Sequence, residues 1–267
     1  MNTFVKIFDN VKTAEDAKRV IESEKAQYHV EEPKNLEEQA INLVGKTVYT
    51  KLIKDYTEKQ WGTSCSELPS FIIKRLPVRF TFDNNYFNDI YQGIPIGGYT
   101  QIIEKMLSKC DVFLNFDYNK RKDEILAKKV IYTGQLDEYF DYCFGPLQYR
   151  SVRFETTRLP IKQYQDSAVV NYTSHDQPYT RIIEHKQFEF GQQDFTIISK
   201  EYSSKWEKGI EPYYPVNNEE NAALYQKYLE KAKQVPNLYI GGRLGLYKYL
   251  DMDDTIEEAL KFLKTIL

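Results

Sequence analysis

Lys74, Arg75 and Arg79 cluster in a stretch, residues 56–99, that also holds Trp61 and the tyrosines Tyr56, Tyr86, Tyr91 and Tyr99. Residues 51–79 carry six Lys or Arg against three Asp or Glu, while the whole chain has a formal net charge of −3. A positive, aromatic-rich patch on an acidic chain suits an anionic ligand with a flat ring. Guanidinium forks grip phosphate oxygens bidentately, and Tyr or Trp faces stack on a base or a sugar. The same residues also suit a core edge whose Arg heads reach water. A second stretch, YIGGRLGLYKYLDMDD (239–254), runs from an apolar strand through Gly241 and Gly242 into a loop with Arg243, Tyr247, Tyr249 and Asp251. Glycine admits close approach of a ligand to the backbone, and the helix that follows offers free N–H groups to an oxyanion. A plain strand–turn–helix join reads the same way. Arg181, early in PYTRIIEHK, and Tyr214, in the rigid turn EPYYPVN, are further candidates that also fit a scaffold role.

Several function classes drop out. The chain has no G-x-S-x-G elbow, no P-loop, no HExxH and no G-x-G-x-x-G. It advertises no reactive side chain of its own, which fits a cofactor that makes the bonds. The three cysteines, Cys65, Cys110 and Cys143, are widely spaced and form no Cys/His ligand set, so neither a metal nor a disulfide framework is expected. Buried free thiols in a reducing cytosol are the natural reading. His29, His175 and His185 receive no role. An acidic chain without a long basic run does not look like a nucleic-acid binder. No apolar run approaches the ~20 residues that span a bilayer. The amino terminus lacks a signal core, so the expected location is cytoplasmic.

The elements that must position these residues follow from periodicity. Thr13–Tyr28 reads as a helix capped by Thr13, with Asp16 three residues on. Leu36–Val44 and Lys46–Thr57 are helical segments parted by Gly45, the second with Leu52, Ile53 and Tyr56 on its apolar face. Leu68–Lys74 reads as a short helix. Val78–Phe82 alternates like a strand, Tyr99–Lys109 looks helical, and Asp111–Phe116 and Lys129–Tyr132 look like strands. Gln148–Thr157, Ser167–Thr173, Thr180–Phe188 and Phe195–Tyr202 recur at the short intervals of an antiparallel sheet. Asn218–Gln234 is a charged amphipathic helix, Leu238–Ile240 a short buried strand, and Asp253 or Asp254 caps a final helix.

The ordered motifs YTEKQWG, IIKRLPVRFTFDNNYF, YQGIP-GGYT, YTRIIEHK, EPYYPVN and GGRL-YKYLDMD resemble those of bacterial UDP-galactopyranose mutase, and the resemblance runs along the whole chain. It lacks a counterpart to that flavoenzyme's amino-terminal Rossmann segment with its dinucleotide-binding glycines. The resemblance implies an α+β fold: an incomplete flavin-binding α/β domain (77–145 and 216–267), a helical substrate domain (10–76) and an antiparallel β-sheet domain (146–215). It implies isomerisation of UDP-galactopyranose to UDP-galactofuranose through an adduct between N5 of reduced FAD and the sugar. The alternative is a non-catalytic UDP-sugar-binding fragment that needs a partner supplying the glycine-rich half. A homodimer is implied as well.

Roles carry over motif by motif. Tyr56 and Trp61 resemble uridine-side residues. Arg75 resembles the mobile-loop arginine that reaches the diphosphate, and Arg181 a second arginine near diphosphate and flavin; these two are the candidate catalytic residues. Tyr86 resembles another contact on the UDP side. Tyr214 and Tyr249 resemble diphosphate-binding tyrosines, and Asp251 an acid lining that pocket. Gly242, Arg243, Tyr249 and Met252 resemble the carboxyl-terminal flavin contact. Without the glycine motif, FAD binding by this chain alone is expected to be weak or absent. The edges or faces of Val112–Phe116, Ile131 and Leu238–Ile240 are expected to lie uncovered.

Overall fold

A computed structural model describes residues 1–73, 78–83, 85 and 89–266. The fold mixes helices and sheets and divides into two compact units, residues 1–99 with 152–204 and residues 100–151 with 205–267. In chain order the strands are β1 (Val130–Tyr132), β2 (Tyr149–Leu159), β3 (Val169–Asn171), β4 (Arg181–Glu184), β5 (Thr196–Lys205), β6 (Tyr214–Pro215) and β7 (Leu238–Ile240). The helices used below are α1 (Asn2–Ile7), α2 (Ala14–Tyr28), α3 (Leu36–Val44), α4 (Asp55–Trp61), α5 (Glu219–Lys233), α6 (Gly242–Gly245) and α7 (Met252–Ile266). None of the described helices is long and apolar enough to cross a membrane.

The first unit begins with helices whose ends are written in the sequence. Thr13 Oγ1 accepts the Asp16 N–H at 3.1 Å and Asp16 Oδ2 accepts the Thr13 N–H at 3.1 Å, the reciprocal capping box that starts α2. Asn35 accepts the Glu38 N–H at 3.0 Å and starts α3. Gly45 ends α3 at φ +81, a conformation that few side chains tolerate. Lys46–Val48 is a single α turn, and Tyr49–Lys54 is a π turn. The extra residue per π turn shifts the register expected for an unbroken helix. Tyr49 is therefore buried, whereas Leu52, assigned above to the apolar face, is exposed. Ile21, Leu36, Ala40, Val44, Tyr49 and Cys65 share one core. Burial pushes the Cys65 thiol up to about 11. Cys110 and Cys143 are exposed, which corrects the expectation of three buried thiols.

The strand expected over Val78–Phe82 does not form. Phe80 instead stacks on Phe4 of α1 at 5.5 Å, so its apolar side is satisfied by packing rather than by a ladder. The sheet of this unit runs in the order β3-β4-β5-β2. β4 pairs antiparallel with β5, and Arg181 stands opposite Glu201. β4 stops four residues earlier than the alternation suggests. The buried Glu184 carboxylate accepts the Tyr164 and Gln165 N–H groups and the Thr196 hydroxyl, and the chain turns there into a short 3-10 helix, His185–Phe188.

In the second unit β1 and β7 pair in parallel, Val130 with Leu238 and Tyr132 with Ile240. Parallel strands are ordinarily covered on both faces. Here Ile131 is exposed, as are Met252, Ile256 and Leu260 along α7. Asp111–Phe116 is not a strand: Asn115 takes φ +57, which breaks an extended run, and Val112, Phe113 and Leu114 are exposed. α7 begins at Met252, so Asp253 and Asp254 sit inside its first turn rather than capping it; the Asp251 carbonyl accepts the Thr255 N–H at 2.9 Å. The core of the unit gathers Leu136, Leu147, Tyr149, Trp206, Tyr228, Ala232 and Tyr247.

Candidate functional site

In the first unit, α4 carries Tyr56 and Trp61, both half-buried, and Gly62 at φ +69 closes it. From the same helix the Lys59 ammonium reaches four backbone carbonyls of the segment before β4: Tyr172 at 2.6 Å, Ser174 at 2.8 Å, and Gln177 and Tyr179 at 3.0 Å each. Desolvation lowers the pKa of that ammonium, and the Asp55 carboxylate pulls it back up. Gln60 adds a second tie, its carbonyl accepting the Ser203 hydroxyl at 2.5 Å. Arg181, two residues past Tyr179, gives its Nε–H to Glu201 Oε1 at 2.8 Å. The Thr180 hydroxyl donates to the same oxygen at 2.8 Å. Helix α4 and the strand bearing Arg181 are thus held on one body.

His175, on the clamped segment, faces two carboxylates of α4. Its Nε2 lies 3.3 Å from Glu58 Oε2 and 3.7 Å from Asp55 Oδ1, and one ligand-type atom from each of the three residues lies within 4.8 Å of the others. Such a group could hold a cation. Both carboxylates already have backbone partners, since Asp55 accepts the His175 N–H and Glu58 the Cys65 N–H. Arg75 and Tyr86, two of the residues singled out by sequence, lie outside the described residues.

In the second unit, β6 and the loop before α7 bring Tyr214 and Tyr249 into a stack, with centroids 5.7 Å apart and planes at 22°. The Arg243 guanidinium lies over both rings, 4.6 Å from the Tyr249 centroid and 5.6 Å from that of Tyr214. Its Nη atoms donate to the carbonyls of Tyr213 at 2.7 Å and Leu250 at 3.4 Å, while its buried Nε has no partner. A cation set against two stacked phenols is an arrangement that meets an anionic oxygen with both charge and hydroxyl donors. Asp251 and Met252, named with this set by sequence, are exposed at the start of α7.

Gly242 has a reason that lies within the fold. It holds φ +71, and a Cβ there would stand 2.8 Å from Cβ of Thr133. Strain and collision together are expected to make Gly242→Ala cost about 2 kcal/mol or more of second-unit stability, read as a lower urea midpoint. An unchanged midpoint would show that the turn reshapes freely. Lys59 and Glu201 escaped the sequence reading. A lysine on a helix ordinarily reads as a solvated face, and the partner of Arg181 depends on a cross-strand register that spacing does not encode.

The family described as UDP-galactopyranose mutase matches residues 51–249. Over 249 residues the chain is 44% identical to a probable UDP-galactopyranose mutase of Klebsiella pneumoniae, covering 92% of this chain and 64% of that protein. It is 35% identical over 271 residues to dTDP-fucopyranose mutase of Escherichia coli, covering 98% of this chain and 71% of that one. It therefore spans about two thirds of the length of these curated relatives. Among solved structures, a crystal structure of reduced UDP-galactopyranose mutase aligns with a TM-score of 0.63 at 15% identity, over 88% of this chain and 69% of that chain, a likeness of fold.

Proposed function

Because the chain belongs to the UDP-galactopyranose mutase family, we propose that it forms the nucleotide-sugar side of a cytoplasmic mutase that interconverts UDP-galactopyranose and UDP-galactofuranose. The observation that carries this reading is the Tyr214–Tyr249 stack beneath Arg243. Two phenols 35 residues apart in sequence stand side by side next to a guanidinium, the donor set a diphosphate prefers. On this reading residues 10–76 are the helical substrate domain, 146–215 the sheet domain, and 77–145 with 216–267 the later pieces of a flavin domain. Tyr56 and Trp61 take the uridine side, Tyr86 a further contact there, and Arg75 and Arg181 the diphosphate. Tyr214 and Tyr249 bind the diphosphate and Asp251 lines the pocket beside them, while Gly242, Arg243, Tyr249 and Met252 face the flavin.

Reduced FAD supplies the nucleophile in such chemistry. The residues present do not fit the whole cofactor. The partnerless Arg243 Nε and the bare backbone of Gly241 could meet one end of it. The chain has no G-x-G-x-x-G for the pyrophosphate, and the described parallel sheet, to whose strand ends such a motif belongs, has two strands. The same observation favours a second reading, a UDP-sugar-binding part that performs no chemistry alone.

Calorimetric titration of the full chain separates these readings. Saturable UDP binding, with little uptake of FAD and no flavin absorbance in the purified protein, is the expected result, and absence of UDP binding overturns both. Conversion of UDP-galactofuranose with dithionite-reduced FAD, followed by chromatography, decides between enzyme and binding part. dTDP-fucopyranose assayed in parallel decides the sugar nucleotide.

A further inference from the structure

We propose that Lys59 is a positioning residue: its ammonium locks the 172–179 segment onto α4 and thereby sets Arg181 relative to Tyr56 and Trp61. The inference rests on the reading that these three residues receive a nucleotide diphosphate. The geometry is specific. An ammonium has three N–H donors, and four carbonyl oxygens surround this one at 2.6–3.0 Å. Four C=O dipoles that converge on one point repel each other unless a cation sits among them, and water serves poorly in a half-buried place.

The segment is closed around that point by other contacts. The Tyr172 and Tyr179 rings meet edge to face at 4.8 Å, and the Tyr172 N–H donates to the Thr180 carbonyl at 2.9 Å. The order then passes directly to Arg181. Thr180 gives its N–H to the Glu201 carbonyl at 2.8 Å and its hydroxyl to the Glu201 carboxylate, which also takes the Arg181 Nε–H. Among the described residues, the hydrogen-bond partners of the Lys59 ammonium are backbone carbonyls of the 172–179 segment, so its effect is transmitted through the loop. A planar guanidinium cannot place its donors on four carbonyls that converge on one point, so Arg is no substitute here.

The test compares the full-length wild type with Lys59→Ala by UDP titration and by hydrogen exchange of residues 172–181, each with and without n-propylammonium. The amine can refill the space and restore the cation. Expected is a loss of UDP affinity on the order of tenfold, with faster exchange at 172–181, both reversed by the amine while far-UV circular dichroism stays unchanged. A purely structural loss would not recover with the amine. Equal UDP affinity in wild type and variant overturns the positioning role and leaves the proposed function standing. If the wild type binds no UDP, the proposed function falls, and exchange decides on the lock: amine-reversible acceleration upholds it, and unchanged exchange overturns it.

Discussion

Replacing Arg181 with alanine is expected to destabilise the first unit by about 3 kcal/mol in urea, before any ligand is considered. Arg181 and Glu201 are cross-strand partners 2.8 Å apart, with side chains 27% and 8% exposed. Removing the guanidinium leaves a nearly buried carboxylate with the Thr180 hydroxyl as its remaining side-chain donor among those described. The cost of an uncompensated buried charge exceeds the worth of the pair itself. Arg181→Ala combined with Glu201→Gln should therefore regain most of the lost stability, because the charge goes with its partner. The double-mutant cycle reads this directly. A single variant that loses less than about 1 kcal/mol would mean that Glu201 finds water, and the pair would then count as a surface contact. The distinction bears on function. Glu201 holds the guanidinium by Nε and so fixes the plane in which the Arg181 side chain is presented. The double variant tests this separately, since it restores stability without restoring an anion-binding group.

What the sequence made legible is the local chemistry. Thr13 with Asp16 spells a capping box and one forms; Asn218 precedes a charged amphipathic run and caps α5 through the Asn221 N–H at 2.8 Å. The six ordered motifs pointed to the family that matches 51–249. Legibility failed where the outcome depends on what lies alongside. The alternation at 78–82 is that of a strand, but Phe80 found Phe4 instead of a neighbouring strand. The apolar run at 111–116 reads as a strand with an uncovered face; Val112, Phe113 and Leu114 are indeed exposed, but Asn115 turns left-handed and no strand forms. The π turn at Tyr49–Lys54 is invisible to a 3.6-residue template. The candidate site shows the same division. Arg181, Tyr214, Arg243 and Tyr249 could be singled out by type and motif. Glu201, which holds Arg181, and Lys59, which ties the segment before it to α4, are defined only by register and loop closure.

Asp137 is another residue defined by its surroundings, and it should set the pH dependence of the second unit. It is fully buried; Oδ2 accepts the Leu147 N–H at 2.8 Å and Oδ1 has no partner. Burial pushes its pKa up from 3.8 to about 6, against the pull of the Leu147 N–H. A carboxyl whose folded value lies above its unfolded one favours folding while protonated. Its contribution is complete below about pH 4 and is lost as pH rises through about 6. The gap between 3.8 and about 6 is worth about 3 kcal/mol, so at neutral pH the charged, half-satisfied carboxylate weakens the fold by that amount relative to acid. Glu138 adds like charge nearby, while the phenols of Tyr149 and Tyr247, also near Asp137, stay neutral over this range because burial raises them. Asp137→Asn keeps an oxygen for the Leu147 N–H and cannot ionise. Its stability minus that of the wild type should therefore grow by about 3 kcal/mol between pH 4 and pH 7.5 in urea titrations that follow the second unit. Parallel profiles for the two proteins would show that water reaches Oδ1 and that the carboxylate is paired after all.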